Sequence, residues 1–321
     1  MEYNTTSTLR ILPSSAVSMI TIYIYAISFS VGILGNCAVI WLVGFKWSRS
    51  ITGLWFLNLA VADIILVLFL PVEVSYVARN YYWLFGLDMC KTSSFTYHTG
   101  ALASVFFLTV ISLDRYLAIH KKRLCFKYRF YSYARALSIT LWVLAVTLAS
   151  IRAYSRTVQQ MVNGIDCIDD FHEDEHTSML LNSIVSWLFL IIGYVIPCIL
   201  LLSSYRAIIC NDIKQPKTRK YLIAILIIAF LIFWTPYNII CFLRVIGQLH
   251  DESKLLVSLN TIFIALTFLN SCFNPVIYIM LSKTLGIDKD VMLEVLKTTL
   301  NKEDGEGKVR YTSGNINLEY H

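Results

Sequence analysis

Seven apolar runs, near residues 17–44, 52–78, 91–119, 134–153, 180–209, 219–247 and 255–281, leave this chain few ways to fold. Each is long enough to cross the hydrocarbon layer of a bilayer, which takes roughly 20 predominantly apolar residues in an α-helix. Lipid offers no partner to an open N–H or C=O group, so such a run crosses as a helix with its own hydrogen-bond ladder. Composition agrees. Of 321 residues 57% are hydrophobic and 15% charged, with mean hydropathy +0.62, against about 25% charged in ordinary globular chains. The expected fold class is an all-α membrane protein, a seven-transmembrane helix bundle over 17–281 flanked by tails at 1–16 and 282–321.

Charge in the short connections sets the direction of crossing, because Lys and Arg stay preferentially on the cytoplasmic side. Lys46 and Arg49 follow the first span. Lys121, Lys122, Arg123, Lys127, Arg129 and Arg135 follow the third, and Lys214, Lys217, Arg219 and Lys220 follow the fifth. The alternate connections carry acid: Asp88, then DCIDDFHEDEH from Asp166 to His176, then Asp251 and Glu252. The N-terminus is therefore expected outside and the C-terminus inside. The net charge of +6 suits loops that face the anionic lipids of a cytoplasmic leaflet, and it calls for no nucleic acid. The first run is long enough to serve as its own signal anchor. Asn4, in the triplet NTT, is a glycosylation acceptor on the outer side.

Of eight cysteines, Cys37, Cys198, Cys210, Cys241 and Cys272 fall within or at the ends of spans and Cys125 is cytoplasmic, where each reads as a small packing residue. Cys90 and Cys167 fall on the oxidising outer side, where a bridge persists. Joined, they would pin the acidic loop across the mouth of the bundle. Pro71, Pro197, Pro236 and Pro275 sit inside spans two, five, six and seven, and an internal proline frees a helix carbonyl and bends its helix. Asp63 lies inside span two. An ionisable group at membrane depth costs on the order of 2.5–3.5 kcal/mol on insertion scales, so it faces the bundle interior. Asn36, Ser104, Asn270 and Asn274 are placed to converge on it. Two readings fit: a hydrogen-bonded network that joins helices, or a small-cation site in which oxygen ligands surround Na⁺ or a proton.

The short motifs fall in a telling order. GN at Gly35 and Asn36, LNLAVAD from Leu57 to Asp63, DRY from Asp114 to Tyr116, Trp142, Pro197 with Tyr205 beyond it, FWTP from Phe233 to Pro236 and NPVIY from Asn274 to Tyr278 together resemble the rhodopsin-like (class A) G protein-coupled receptors. The resemblance covers every span. It implies a multi-pass receptor of the plasma membrane, not an enzyme, with a sodium pocket at Asp63, Ser104, Asn270 and Asn274. Trp234, with Phe230 one turn before it, resembles the pivot beneath the ligand, and Pro236 and Pro275 belong to the moving spans. Tyr205 and Tyr278 resemble the tyrosines that swing inward on activation. Arg115, beside Tyr116 at the cytosolic end of span three, would be held by Asp114 at rest and turn to a heterotrimeric G protein, of the inhibitory class, when span six moves out. Cys90 and Cys167 match the family's outer disulfide. Two departures bear on signalling. HKKRLC replaces the frequent His-Pro after DRYLAI, and the inner start of span six, QPKTRK, has no acid to latch Arg115, so ligand-independent activity is expected.

Within the family, LWFLNLAVADIILVLFLPVEV, YYWLFGLDMCK and ASVFFLTVISLDRYLAI look most like the chemoattractant receptors for formyl peptides, chemerin and complement fragments, with chemokine receptors next. Chemokine receptors usually add a second outer disulfide, yet residues 1–36 and 248–260 hold no cysteine, which weighs against a chemokine ligand. The span-five arginines that anchor a ligand carboxylate in the formyl-peptide and chemerin receptors are missing from SIVSWLFLIIGY. The pocket is expected to be lined by Glu73 and Tyr76 from span two, Tyr97 and His98 from span three, Arg152 from span four, Trp234 and Arg244 from span six, and Asn260 and Ile264 from span seven. Arg152 and Arg244 would receive a ligand carboxylate, while the acidic loop would attract a cationic peptide or small protein. A decoy receptor that internalises ligand without signalling is the alternative, against which the intact DRY and NPVIY stand. The tail after Leu281 reads as a short interfacial helix, and Thr298, Thr299, Thr312 and Ser313 offer sparse phosphorylation sites for arrestin.

Overall fold

The computed structural model describes residues 11–46, 51–120, 130–161, 164–172, 174–210, 217–247 and 253–284, without the side chains of 45–46, 118–120, 175, 207–210, 217–223 and 277–284. Asn4 and everything from 285 onward, with the expected interfacial helix and Thr298, Thr299, Thr312 and Ser313, lie outside the described residues. Met1–Leu281 and Ser282–His321 form two compact units.

Among the described residues, seven helices are long and apolar enough to cross a membrane. Span one is Ser15–Lys46; span two comes in two pieces, Ile51–Val67 and Leu70–Ala78; span three is Gly86–His120; span four is Tyr131–Ser155. Span five joins Glu175–Leu190 to Ile196–Cys210 through a wide π-turn at Ile191–Val195; span six is Lys217–Val245 and span seven Lys254–Thr284. Most of these helices run past their apolar runs by a few residues, because the ladder continues into polar sequence until a cap stops it. At the start of span five the cap is Asp174, whose carboxylate accepts from the Thr177 N–H (2.8 Å) and Oγ1 (2.6 Å). Those bonds hold its carboxyl below the ordinary carboxylate range.

The prolines act where the backbone already deviates. Span two breaks at Leu68 and Phe69, and Pro71 enters the first turn of the second piece, where its missing N–H would have had no partner anyway. Pro197 directly follows the π-turn of span five, a common place for a displaced ladder. Pro236 and Pro275 lie inside unbroken helices.

Span three is the axis. Two-thirds (67%) of its apolar window is buried, against 28% for spans one and four, and it packs on spans two, four and five. Its approach to span two is too close for a side chain at Gly100: a Cβ there would lie 2.6 Å from Leu66 Cα and 2.9 Å from the Ala62 carbonyl oxygen. In lipid there is little hydrophobic gain in bringing helices together, so small residues that admit close van der Waals packing carry much of the association.

The chain between spans four and five forms an antiparallel hairpin, strand β1 (Arg156–Met161) with β2 (Gly164–Asp169), in which Val158 pairs with Cys167 and Arg156 with Asp169. The sequence reading has only a pinned loop here. Cys167 is joined to Cys90 of span three (Cα–Cα 5.8 Å), as expected, and the Trp83 N–H donates to the Ile165 carbonyl (2.8 Å), tying the hairpin to the preceding connection as well.

Replacing Gly100 by alanine should force spans two and three apart at a backbone contact and destabilise the purified protein by about 1–3 kcal/mol, the range for overpacking. Gly44→Ala, whose added Cβ meets nothing within 4 Å, should leave the unfolding temperature at or above wild type. Equal unfolding temperatures for the two variants would contradict the close approach.

Candidate functional site

Beneath the hairpin lies a cavity of about 420 Å³. Glu73, Tyr76, Tyr97, His98, Arg244, Asn260 and Ile264 all line it. The two remaining expected residues, Arg152 and Trp234, border a second cavity of about 80 Å³, which shares Tyr97, His98 and Tyr237 with the first. Sequence reasoning missed Arg156, Tyr25, Tyr237 and Phe268. Arg156 reads as the last polar residue of span four, and only the turn into β1 carries it over the cavity.

Arg152 does not await a carboxylate, contrary to the expectation from sequence. Its guanidinium donates to Asp169 Oδ2 (3.3 Å), Asn182 Oδ1 (2.8 Å) and Ser186 Oγ (2.8 Å), and lies over the Phe189 ring at 5.5 Å. Asp169 is the hub. It also accepts from Ser155 Oγ (3.0 Å) and pairs with Arg156 Nε (3.3 Å), while Arg156 donates to Ser94 Oγ (3.1 Å) and to the Cys167 carbonyl (3.3 Å). The register of the hairpin explains this, since Arg156 and Asp169 face each other across the strands.

The acidic stretch is therefore less open than its composition suggests. Asp166 is 5% exposed and accepts from Tyr76 Oη (2.5 Å) and the Cys167 N–H (2.8 Å). Asp170 accepts from Ser178 Oγ (2.9 Å) and the His172 N–H (3.3 Å). Asp166 and Asp169 brace the cavity wall; Asp170 and Asp174 remain exposed to solvent. Glu173 and the side chain of Glu175 lie outside the described residues.

Deeper in the bundle, Asp63 is fully buried (0% exposed). Its Oδ1 accepts from Ser104 Oγ (2.8 Å) and Ser271 Oγ (3.3 Å), and its Oδ2 from Asn274 Nδ2 (2.7 Å). Ser104 and Asn274 were expected there. Asn36 instead donates to the Gly32 and Ser271 carbonyls (2.9 and 3.1 Å), and Asn270 is buried without a partner for its Nδ2 among the described residues. Ser271 takes its place at the carboxylate. It lies three residues before Asn274, on the same helix face, a spacing visible in the sequence but hidden by the choice of asparagines. Trp142 of span four donates to Asn58 Oδ1 of span two (2.8 Å).

Trp234 stacks near Phe230 (6.3 Å between centroids, 30°), which meets Tyr194 of span five (6.1 Å, 27°). Tyr194 donates to Thr235 Oγ1 (2.7 Å), so spans five and six are linked beside Pro236. At the far end of span three, Arg115 donates to Thr52 Oγ1 (2.5 Å) and sits 3.8 Å from Asp114 Oδ2. Tyr116 is half-buried nearby. Tyr205 packs against the central apolar cluster; the side chain of Tyr278 lies outside the described residues.

Comparison with known proteins is consistent along the whole bundle. The model of the family "7 transmembrane receptor (rhodopsin family)" matches residues 35–278. The chain is 38% identical over 282 residues to a G-protein coupled receptor homolog, FPV021, of fowlpox virus, covering 87% of this chain and 88% of that protein. It is 39% identical to the chemerin-like receptor 2 of Mus musculus, covering 91% of this chain and 84% of that receptor. It is also 30% identical to the C3a anaphylatoxin chemotactic receptor of Danio rerio, covering 84% and 74%.

Asp169→Ala leaves two half-buried guanidinium groups short of a partner at once. It should lower stability by about 1–3 kcal/mol, the range for a removed hydrogen-bond partner, read as a lower unfolding temperature of the purified protein. An unchanged unfolding temperature would remove Asp169 from its place as hub.

Proposed function

Because the chain belongs to the rhodopsin family of seven-transmembrane receptors, multi-pass proteins of the plasma membrane that are not enzymes, we propose that it binds an extracellular chemoattractant-type peptide or small protein and activates heterotrimeric G proteins of the inhibitory class. Relatives named for chemerin and for the C3a anaphylatoxin support the ligand class. The observation that carries the reading is span three itself. One helix lines the cavity with Tyr97 and His98 and holds Arg115 against Thr52 and Asp114, about 25 Å further along at 1.5 Å per residue.

A ligand shifts an equilibrium only by its differential affinity for the two states. Here the differential contact is with Trp234: pressure on the indole passes to Phe230 and Tyr194 and loosens span six, whose outward swing frees Arg115 for the G protein. Arrestin then meets the cytoplasmic tail, with the N-terminal tail outside. Exposed Asp170 and Asp174 favour a cationic ligand body, and Arg244, at the rim of the larger cavity, suits a carboxylate end. The chain also has some activity without ligand.

Na⁺ belongs to the resting state of this proposal. Asp63 is a buried carboxylate with no cation paired to it among the described residues, and hydroxyl oxygens of Ser104 and Ser271 stand beside it. Those three side chains would hold the ion, which supplies the positive charge that the carboxylate lacks.

Two measurements test these points. Arg115→Ala, at surface expression matched to wild type, should abolish nucleotide exchange on an inhibitory-class G protein with and without chemerin or C3a. Full exchange by that variant would sink the signalling assignment, and ligand uptake by the wild type with no exchange at all would establish the decoy alternative. For the ion, millimolar Na⁺ should raise the unfolding temperature of the wild type relative to choline and leave Asp63→Asn unmoved; an equal rise in both would place the ion elsewhere.

A further inference from the structure

His98 stands where the two cavities meet. Its Nδ1 lies 2.8 Å from the Ser94 carbonyl oxygen, which cannot donate, so Nδ1 carries the ring hydrogen and Nε2 is a bare acceptor. Nε2, on the far side of the ring from the helix backbone, makes no hydrogen bond among the described residues. Below it, Trp234 is 6% exposed, borders the smaller cavity, and keeps its Nε1–H buried without a partner. A buried donor left unpaired is costly, and an indole nitrogen can only donate. One wall of the small cavity thus asks for a donor and another for an acceptor.

Charge narrows the choice further. Arg152 borders the same cavity, but its guanidinium is engaged by Asp169, Asn182 and Ser186, so it does not draw an anion inward. A carboxylate offers only lone pairs and would set one of them against Nε2. An ammonium or amidinium would satisfy Nε2 but meets the Trp234 N–H with another donor, near two guanidinium groups. The volume of about 80 Å³ admits a group of a few heavy atoms, given that one water takes about 30 Å³ in the liquid.

We propose that this junction selects an uncharged group of the ligand that both donates and accepts, a carboxamide or a hydroxyl, with His98 Nε2 as its acceptor partner and the Trp234 indole as its donor. The proposal rests on the receptor reading above and names the chemistry that the deep end of that site takes. Aromatic walls from Tyr97 and Tyr237 hold whatever carries the group.

Three compounds of one shape separate the possibilities: benzamide, benzoate and benzamidine. Their binding to the purified receptor in lipid nanodiscs is followed by saturation-transfer NMR, without G protein, so the outcome is independent of the nucleotide-exchange assay on Arg115. Benzamide should bind about tenfold more tightly than either charged analogue, the discrimination of one well-made hydrogen bond. His98→Leu should abolish that preference, and His98→Gln, which returns an acceptor oxygen, should recover most of it; this pair separates loss of the acceptor from loss of the fold. Trp234→Phe should weaken benzamide about fivefold. Preference for benzoate or for benzamidine, equal binding of all three, or no binding of any at millimolar concentration would each overturn the proposal.

Discussion

At membrane depth a polar group has only protein to pair with, and the bundle is organised around that scarcity. Lipid supplies no hydrogen bonds and little drive for helices to associate, so contacts between spans fall where polar residues meet or where a missing side chain lets backbones touch. Asp63 joins spans two, three and seven through Ser104, Ser271 and Asn274. Asn36 joins span one to span seven through the Ser271 carbonyl. Trp142 joins span four to Asn58 of span two, and Gly100 lets span three lie against the backbone of span two. At the hairpin end the same scarcity produces a second knot, in which Asp169 gathers Ser155, Arg152 and Arg156 while the disulfide fixes β2 to span three. Between the two knots lie the cavities.

This arrangement leaves the middle of the bundle able to rearrange. Interhelical hydrogen bonds in membrane proteins contribute about 0.6 kcal/mol each on average, so a single one, such as Tyr194 to Thr235, holds a conformation weakly. The aromatic series Tyr194, Phe230 and Trp234 is apolar apart from its edges and can slide without exposing a charge. The knots cannot, since breaking either leaves a buried carboxylate or guanidinium unpaired.

The fold was legible because twenty apolar residues in a row have one solution in lipid, and all seven runs became helices. Their ends were less so, since apolarity stops before the ladder does: span three begins at Gly86, five residues before the expected 91. The hairpin was hidden for another reason. DCIDDFHEDEH reads as solvated charge, whereas pairing with β1 turns Asp166 and Asp169 toward Tyr76 and the arginines. Most of the cavity lining was legible as polar or aromatic residues near the outer ends of spans, but Arg156 was not, because its position depends on a turn that no local pattern announces. Ser271 was passed over because serines at membrane depth commonly bond their own helix carbonyls, as Ser138 and Ser204 do here; only the placement of span seven against Asp63 distinguishes it.

The same reasoning bears on how the proposed resting state is held. No acidic residue occurs between Ile213 and His250, so span six has nothing with which to pair Arg115, and the arginine is held instead by Thr52 and Asp114, neither of which belongs to span six. What joins span six to its neighbour lies near its middle, at Thr235 and Phe230. Thr235 is about 27 Å from the Lys217 end of the helix at 1.5 Å per residue, and it adjoins Pro236, the one position in the helix that lacks an N–H to bond the preceding turn. A restraint beside the pivot resists rotation with a short lever arm, whereas an ion pair at the far end would resist it with a long one. Swinging the cytosolic end outward therefore breaks little, and a receptor built this way has a small free-energy gap between its states. The gap is set by the packing of Trp234 and Phe230 rather than by charge, which places its control with whatever fills the cavity above the indole.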